Sequence, residues 1–181
     1  MLGKIILFAI LLSPTLACAT TYYVDITGGA DTNAGTSKVT AWANAPGMQS
    51  CASTCSTTTI NAGDSIIFKG GETWPNGSFM WTLKGGSSGN PVYYGVDKTW
   101  YTGASWTRPI LNPGGTVISN NHDTMFLVPN YVTMDNFEIT GFYWTSAACS
   151  GAPYGYCGIF NAGQNSGQTF ENLYVHGWSH A

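Results

Sequence analysis

The feature that most constrains the fold is a segment that occurs twice. Residues 130–141 align without gaps on residues 166–177, at an offset of 36. In both copies an Asn separates two strand-like runs, and Asn tolerates the left-handed backbone conformation that a tight bend requires. Stacked turns of a solenoid repeat their inward residues in this way. The repeat therefore favours a solenoid over a chance match between two hairpins of a β-sandwich.

Composition agrees with a β-rich chain. Charged residues make up 8% and aromatic residues 14% of the 181 residues, whereas charged residues are about 25% of an average soluble domain. Short apolar or alternating runs, bounded by Gly, Asn, Asp or Pro, are typical of strands. They lie at 22–24, 65–68, 91–94, 110–111, 125–128, 131–134, 137–139 and 173–175. We predict one all-β domain, with a short N-terminal capping helix at 42–48, where an apolar helical period is weakly present.

The N-terminus is typical of a secretory signal peptide. Lys4 precedes an apolar run at 5–12, Pro14 follows it, and residues 17–19 read Ala-Cys-Ala, a small-residue cleavage pattern. This predicts a signal peptide over residues 1–19 and a secreted protein, extracellular or periplasmic. The alternatives are a lipoprotein anchored through Cys18 and a transmembrane anchor. The apolar run is about half of the roughly 20 residues that a membrane span needs, so we expect no membrane span.

Four cysteines remain after such processing, namely Cys51, Cys55, Cys149 and Cys157. An even number in an oxidising compartment predicts disulfides. Two local bridges, Cys51 to Cys55 and Cys149 to Cys157, are the simplest of the three possible pairings. The alternative is a zinc site, but the spacings match no common zinc pattern. The formal charge of −3 and the absence of a basic run argue against nucleic-acid binding.

Three stretches resemble a known family. Residues 22–25 followed by 28–36, with a D-x-N-x-G-T turn, look like a common entry strand, and 63–71 is similar to a first coil with a G-D turn. With the two repeats, the chain resembles the secreted right-handed parallel β-helix proteins of the pectin-lyase-like superfamily. The resemblance implies a right-handed parallel β-helix over 20–181. Members usually have many more coils, so we expect an N-terminal cap and first coils, with catalytic coils beyond residue 181.

The resemblance also implies where substrate binds. Side chains alternate along a strand, which predicts that Phe137, Ile139, Leu173 and Val175 face the core. Glu138, Thr140, Tyr174 and His176 then point outward, and stacking brings neighbouring copies about 4.8 Å apart. Because the family's substrate groove generally lies along an outer strand face, these four are candidate substrate-binding residues. The alternative is that they are ordinary solvated positions on a sheet.

Other candidate residues are less specific. Asp31 and Asn33 have oxygen ligands at alternate positions, as a calcium loop has, but an Asx-type turn explains them as well. The His122-Asp123 pair and the His176/His180 pair have groups that act as a base or metal ligand, but neither pair alone is specific. No catalytic residue of the family matches a position here. Many of the aromatic rings could stack on sugars, and the alternative is that they pack loops against the body of the fold. They are Trp74, Trp81, Trp100, Trp106, Trp144, Trp178, Tyr101, Tyr143, Tyr154 and Tyr156.

The sequence therefore predicts a secreted, carbohydrate-active β-helix protein whose partner is a polysaccharide. A polysaccharide lyase or glycoside hydrolase is the leading interpretation, with calcium as the one cofactor that the family implies. The alternative is a non-catalytic glycan-binding or cell-surface protein. A basic residue and carboxylates converging on one outer face would indicate catalysis, whereas rows of exposed aromatics without that convergence would indicate binding.

Overall fold

A computed structural model describes residues 18–114, 126–141, 159–160 and 166–177 and shows three parallel sheets. Sheet A contains β1 (Thr21–Val24), β2 (Ser65–Gly70), β5 (Val92–Tyr101), β8 (Val132–Asp135) and β11 (Thr169–Glu171). Sheet B contains β3 (Thr73–Trp74), β6 (Ile110–Leu111), β9 (Glu138–Ile139) and β12 (Tyr174–Val175). Sheet C contains β4 (Trp81–Thr82), β7 (Phe126–Leu127) and β10 (Ile159–Phe160). The all-β prediction is confirmed.

The chain visits the sheets in a fixed order. From β2 to β10 it passes through A, B and C three times, and β11 and β12 enter A and B again. We call one passage through the three sheets a circuit. Each strand pairs in parallel with the corresponding strand of the next circuit. The strands of each circuit therefore form backbone hydrogen bonds with the strands of the next circuit, as neighbouring parallel strands do in any sheet.

The predicted repeat is seen directly in the strand register. Thr169 lies opposite Thr133, and Tyr174 lies opposite Glu138, so both pairs keep the offset of 36. At the corner between sheets A and B, Asn136 has a φ of 63° and Asn172 a φ of 51°. Both corners are thus left-handed, which few residues other than Gly, Asn and Asp adopt at low cost.

One apolar core lies between the sheets in the described chain and is rich in aromatic side chains. Phe68 is its centre, with ring centroids 4.9 Å from Trp74, 5.4 Å from Trp81 and 5.0 Å from Phe137. These four residues are fully buried. Their edge-on and tilted geometries are those that aromatic quadrupoles favour. Trp74 and Trp81 are therefore core residues, and the expectation that they belong to a sugar-binding platform is wrong.

The N-terminal segment before β2 is held to this core by tryptophan N–H groups. Trp42 Nε1 donates to the Asn33 carbonyl at 2.7 Å, and Trp81 Nε1 donates to the Pro46 carbonyl at 3.1 Å. Gly35 has a φ of 74°, and a Cβ there would overlap the Trp42 indole. The buried rings therefore also fix the loop that covers one end of the core.

The predicted helix at 42–48 is wrong in position. That segment contains turns and one bridge, between Val24 and Trp42, and the helix is Ser53–Thr57. Trp42, Ala45 and Met48 are buried at helix-like spacing, but the turns of an irregular loop place them there. Gly47 has a φ of 92°, which a right-handed helix excludes.

The disulfide between Cys51 and Cys55 is confirmed, with a Cα–Cα distance of 5.7 Å. It spans the start of the helix. Cys149 and Cys157 lie outside the described residues, as do residues 1–17 of the predicted signal peptide. Within the described ranges, no helix is long and apolar enough to cross a membrane.

Candidate functional site

The four outward candidates are neighbours on sheet B. Glu138 is in β9 and Tyr174 is in β12, and the two are register partners. Thr140 lies two positions after Glu138 and His176 two positions after Tyr174, so both point to the same face of the sheet as these residues. Phe137 and Ile139 are fully buried and Leu173 packs against the core, whereas Val175 is 50% exposed. The predicted alternation therefore holds for three of the four inward positions. At Val175, β12 has only β9 as a neighbour within the described chain.

His176 is the centre of the cluster. Its Nε2 is 3.0 Å from Glu138 Oε1, and its Nδ1 is 3.5 Å from Thr140 Oγ1. The Tyr174 and His176 rings stack with centroids 4.3 Å apart and planes inclined by 25°. The structure thus brings all four sequence candidates into contact, which we call the sheet B cluster. Because the offset of 36 joins two separate circuits, no single circuit could form it.

The sheet B cluster has the groups that bind sugars. The Tyr174 residue is 52% exposed, and an exposed aromatic ring can stack on the apolar face of a pyranose. No described residue donates a hydrogen bond to Glu138 Oε2, and an oxygen of this kind can accept one from a ligand hydroxyl. The arrangement can therefore bind a sugar by stacking and hydrogen bonds.

A buried carboxylate supports the corner beside this cluster. Asp135 Oδ1 accepts hydrogen bonds of 2.8 Å from Asn136 Nδ2 and from Asn172 Nδ2, and Asp135 Oδ2 accepts one of 2.7 Å from the Tyr93 hydroxyl. Burial alone raises the pKa of Asp135, but the hydrogen bonds from Asn172, Tyr93 and Asn136 lower it below its usual range. Burial and the bond to Asp135 raise the pKa of Tyr93. Asp135 thus joins the left-handed corners of two circuits.

Two cations flank the same corner. Arg108 Nε donates to the Asn172 carbonyl at 3.2 Å, and its guanidinium lies 6.0 Å from the Trp106 ring centroid. Lys98 Nζ lies 5.0 Å from that ring. No sequence pattern indicates this group, because Lys98, Trp106 and Arg108 are far from Asn172 in the chain. Only the stacking of circuits brings them to it.

Asp31 and Asn33 are engaged by the protein itself. Asp31 Oδ1 accepts from the Ala43 and Asn44 backbone N–H groups at 3.1 and 2.9 Å, and Oδ2 accepts from Asn44 Nδ2 and Ala52 N at 3.0 and 3.1 Å. Asn33 Nδ2 donates to the Ala41 carbonyl at 2.9 Å. These bonds explain both residues without a cation, and the calcium hypothesis gains no support from them.

The remaining candidates are not brought to the cluster by the described chain. Across the described ranges, no three His, Cys, Asp or Glu side chains group as metal ligands. His122, Asp123 and His180 lie outside the described residues, as do Trp144, Trp178 and Tyr143, Tyr154 and Tyr156. Trp100 and Trp106 are half-buried, and Tyr101 is 37% exposed.

A cleft of about 420 Å³ lies at the N-terminal end of the structure. Its walls include residues 56–60, which follow the helix, together with Met48 and Lys84. The Tyr94 hydroxyl fixes the Lys84 backbone by accepting from its N–H at 2.7 Å and donating to its carbonyl at 3.1 Å. The cleft offers hydroxyl groups and one cation, but the sequence contains no motif that marks it.

Comparison with solved structures gives a fold relation. A GH136 lacto-N-biosidase from Eubacterium ramulus is similar to this chain with a TM-score of 0.59 and 19% identity, over 87% of this chain and 27% of the enzyme. A rhamnogalacturonan lyase is similar with a TM-score of 0.58 and 21% identity, over 88% of this chain and 36% of the lyase. No protein family profile and no curated protein matches the sequence.

These identities show a shared fold alone. Both solved neighbours are carbohydrate-active enzymes by name, one a glycoside hydrolase and the other a lyase. The chain spans about a quarter to a third of their lengths. A common fold does not transfer an activity or its residues.

Proposed function

We propose that this chain is part of a secreted, carbohydrate-active protein with a right-handed parallel β-helix. Three parallel sheets, a fixed order of visits and a 36-residue register support the fold. The similarity to a glycoside hydrolase and a lyase supports action on carbohydrate. The Cys51–Cys55 disulfide is compatible with secretion, because disulfides persist in oxidising compartments.

The sheet B cluster is the proposed polysaccharide contact. One observation carries this assignment: Tyr174 is half exposed and stacks on His176, which is hydrogen-bonded to Glu138. The stack holds the Tyr174 ring in one orientation before any ligand arrives. A ring held in this way loses little conformational freedom when a sugar binds.

The leading reaction class is polysaccharide cleavage by a lyase or a glycoside hydrolase, with catalytic groups on coils beyond residue 181. The lengths of the two solved neighbours support this part of the proposal. A non-catalytic glycan-binding protein is the second candidate. The exposure of Tyr174 favours it, because an exposed ring can stack on a sugar without any reacting group.

Glycan binding tests the assignment. Tyr174→Ala should weaken binding to the best ligand of a polysaccharide panel by about 3- to 10-fold, which corresponds to roughly 0.5–1.5 kcal/mol for one aromatic contact. Affinity electrophoresis in gels containing each polysaccharide measures the effect. Tyr101→Ala is the matched control, since Tyr101 is also exposed, at 37%, and lies in sheet A. Equal losses for both variants would contradict a site on sheet B.

A reaction assay separates the two candidate functions. The natural secreted protein is incubated with the polysaccharide that it binds, and new reducing ends and unsaturated sugar products are measured. New ends with unsaturation indicate a lyase, and new ends without it indicate a hydrolase. Binding without new ends supports the non-catalytic candidate. No binding to any polysaccharide would overturn the proposal as a whole.

A further inference from the structure

The carboxylate of Asp64 is buried beside the predicted cleavage point. Asp64 is 1% exposed, and its Oδ1 accepts a hydrogen bond of 2.7 Å from the Thr20 backbone nitrogen. Its Oδ2 accepts one of 2.8 Å from the Asn61 nitrogen. No Lys, Arg or His of the described residues forms an ion pair with it. A buried carboxylate that has only neutral donors retains much of its desolvation cost.

Thr20 is also bonded to the start of β2. Its carbonyl accepts a bond of 2.9 Å from the Ser65 nitrogen, and β1 starts at the next residue. Cys18 and Ala19, by contrast, are exposed. The Ala-Cys-Ala pattern at 17–19 places the cleaved bond between Ala19 and Thr20. The sequence signal and the first structural anchor therefore fall on the same peptide bond.

We infer that cleavage of the Ala19–Thr20 bond creates an α-ammonium group that binds the Asp64 carboxylate, so that maturation itself stabilises the fold. A signal peptidase adds water across the bond. Ala19 leaves with a new carboxylate, and the Thr20 nitrogen becomes an ammonium. The neutral N–H donor 2.7 Å from Asp64 thus becomes a cation at the same position, and charge-assisted hydrogen bonds are about twice as strong as neutral ones.

The surroundings are suited to this ion pair. Burial raises the pKa of Tyr22, and the negative charge of Asp64 raises it further, so the phenol stays neutral and does not compete for the ammonium. Thr20 is only partly buried, so the ammonium hydrogens that do not reach Asp64 can contact water. The inference rests on the secretion part of the proposed function and is independent of glycan recognition.

The first measurement is the N-terminal residue of the natural secreted protein, by mass spectrometry. We expect Thr20. A mature chain that begins at a lipidated Cys18, or at any other residue, would overturn the inference. Its outcome does not depend on whether the protein binds a sugar.

The second measurement compares the protein beginning at Thr20 with the same protein carrying an N-terminal acetyl group. Acetylation leaves the N–H donor but removes the charge. The free amine should raise the Tm by at least about 2–4 °C, the shift that one favourable interaction gives in a domain of this size. Extension by Ala19 should lower the Tm similarly, because it moves the charge one residue away. Equal Tm values for the free and acetylated proteins would overturn the inference.

Asp64→Asn tests the partner. The acetylation effect should disappear in this variant, because the amide has no charge to pair with the ammonium. NMR titration of the Thr20 amine provides a readout that a purely structural role of Asp64 would not change. Its pKa should exceed the usual value of about 8 in the natural protein. An amine pKa in the usual range would contradict the ion pair even where Asp64→Asn fails to fold.

Discussion

Two polar clusters of this molecule have similar chemistry and opposite surroundings. At the corner after β2, Lys69 Nζ lies 2.8 Å from Asp25 Oδ2 and 3.2 Å from Glu72 Oε1, and the three side chains are 19%, 8% and 3% exposed. In the sheet B cluster, His176 and Glu138 lie 3.0 Å apart, and their side chains are 37% and 25% exposed. The first is a buried ion group, and the second faces solvent.

The two clusters also differ in whether each carboxylate oxygen already accepts a hydrogen bond from the protein. In the buried group every carboxylate oxygen has a donor: Asp25 Oδ1 accepts from Thr27 and Gly28, and Glu72 accepts from Thr27 and Thr102. In the sheet B cluster, Glu138 Oε2 has none within the described residues. A charged group whose donors and acceptors are all bonded within the protein stabilises the fold but has none left for a ligand. A carboxylate oxygen that has no donor can still accept a hydrogen bond from a ligand.

The largest expected effect comes from breaking the buried group. Lys69→Met keeps most of the apolar stem of the side chain but leaves two carboxylates facing each other without a cation. Removing one partner of a buried ion pair costs about 3–5 kcal/mol, so the free energy of unfolding should fall by about that amount. Urea unfolding followed by tryptophan fluorescence measures it.

Lys38→Met is the matched control for this change. Lys38 pairs with Asp97 at 2.6 Å, but the two side chains are 38% and 35% exposed. Solvent screens such a pair, which is worth about 0–1 kcal/mol. Should Lys38→Met cost as much as Lys69→Met, burial would not be what distinguishes structural from available charges in this fold.

The buried group also predicts how stability depends on pH. Burial raises the pKa of Asp25, but the bonds from Lys69 and Gly28 outweigh it, so the pKa lies below its usual range. This contribution is complete above the unfolded pKa of about 4 and is lost as pH falls through the folded value. Burial lowers the pKa of Lys69, but the bonds to Asp25 and Glu72 raise it above its usual range. That contribution is complete below about pH 10.4 and is lost as pH rises through the folded value.

The contribution of this buried group should therefore be constant between about pH 5 and pH 9. Urea unfolding at intervals of pH gives the profile. In Lys69→Met the free energy of unfolding should no longer fall at alkaline pH, because the group that titrates there is absent. Its fall at acid pH should be smaller, because the cation that lowers the pKa of Asp25 is gone. An unchanged fall at acid pH in this variant would show that Asp25 does not depend on Lys69.

The sheet B cluster could be predicted from the sequence because its residues lie at matching positions of two short repeated segments. Two copies in register place position 138 beside 174 and position 140 beside 176, and the alternation of a strand decides which residues face outward. The contact between His176 and Glu138 then follows from side-chain length. The left-handed corners at Asn136 and Asn172 were predicted for the same reason, since the Asn occurs at the same point of both copies.

The buried ion group could not be predicted in this way. Asp25, Lys69 and Glu72 belong to no repeat, and Lys69 and Asp25 are 44 residues apart. Their meeting depends on the register of β1 against β2, in which Val24 lies opposite Phe68. No repeated segment marks this register in the sequence. The irregular loop between β1 and β2 explains the misplaced helix at 42–48, and the two-residue strands β3 and β4 are too short for an alternating pattern to show.

The smallest expected effect is at Glu138. Glu138→Gln keeps the shape of the side chain and a hydrogen bond to His176 but removes the charge. Because the group is partly exposed and has a spare oxygen, the free energy of unfolding should change by no more than about 0.5 kcal/mol. Glycan affinity should fall by about 2- to 10-fold, the loss of one hydrogen bond. Asp25→Asn is the same chemical change in the buried group, and we expect it to reverse the pattern, with a large loss of stability and no separate loss of affinity. Urea unfolding and affinity electrophoresis on both variants measure the two quantities, and a Glu138→Gln variant as unstable as Asp25→Asn would make the sheet B cluster structural.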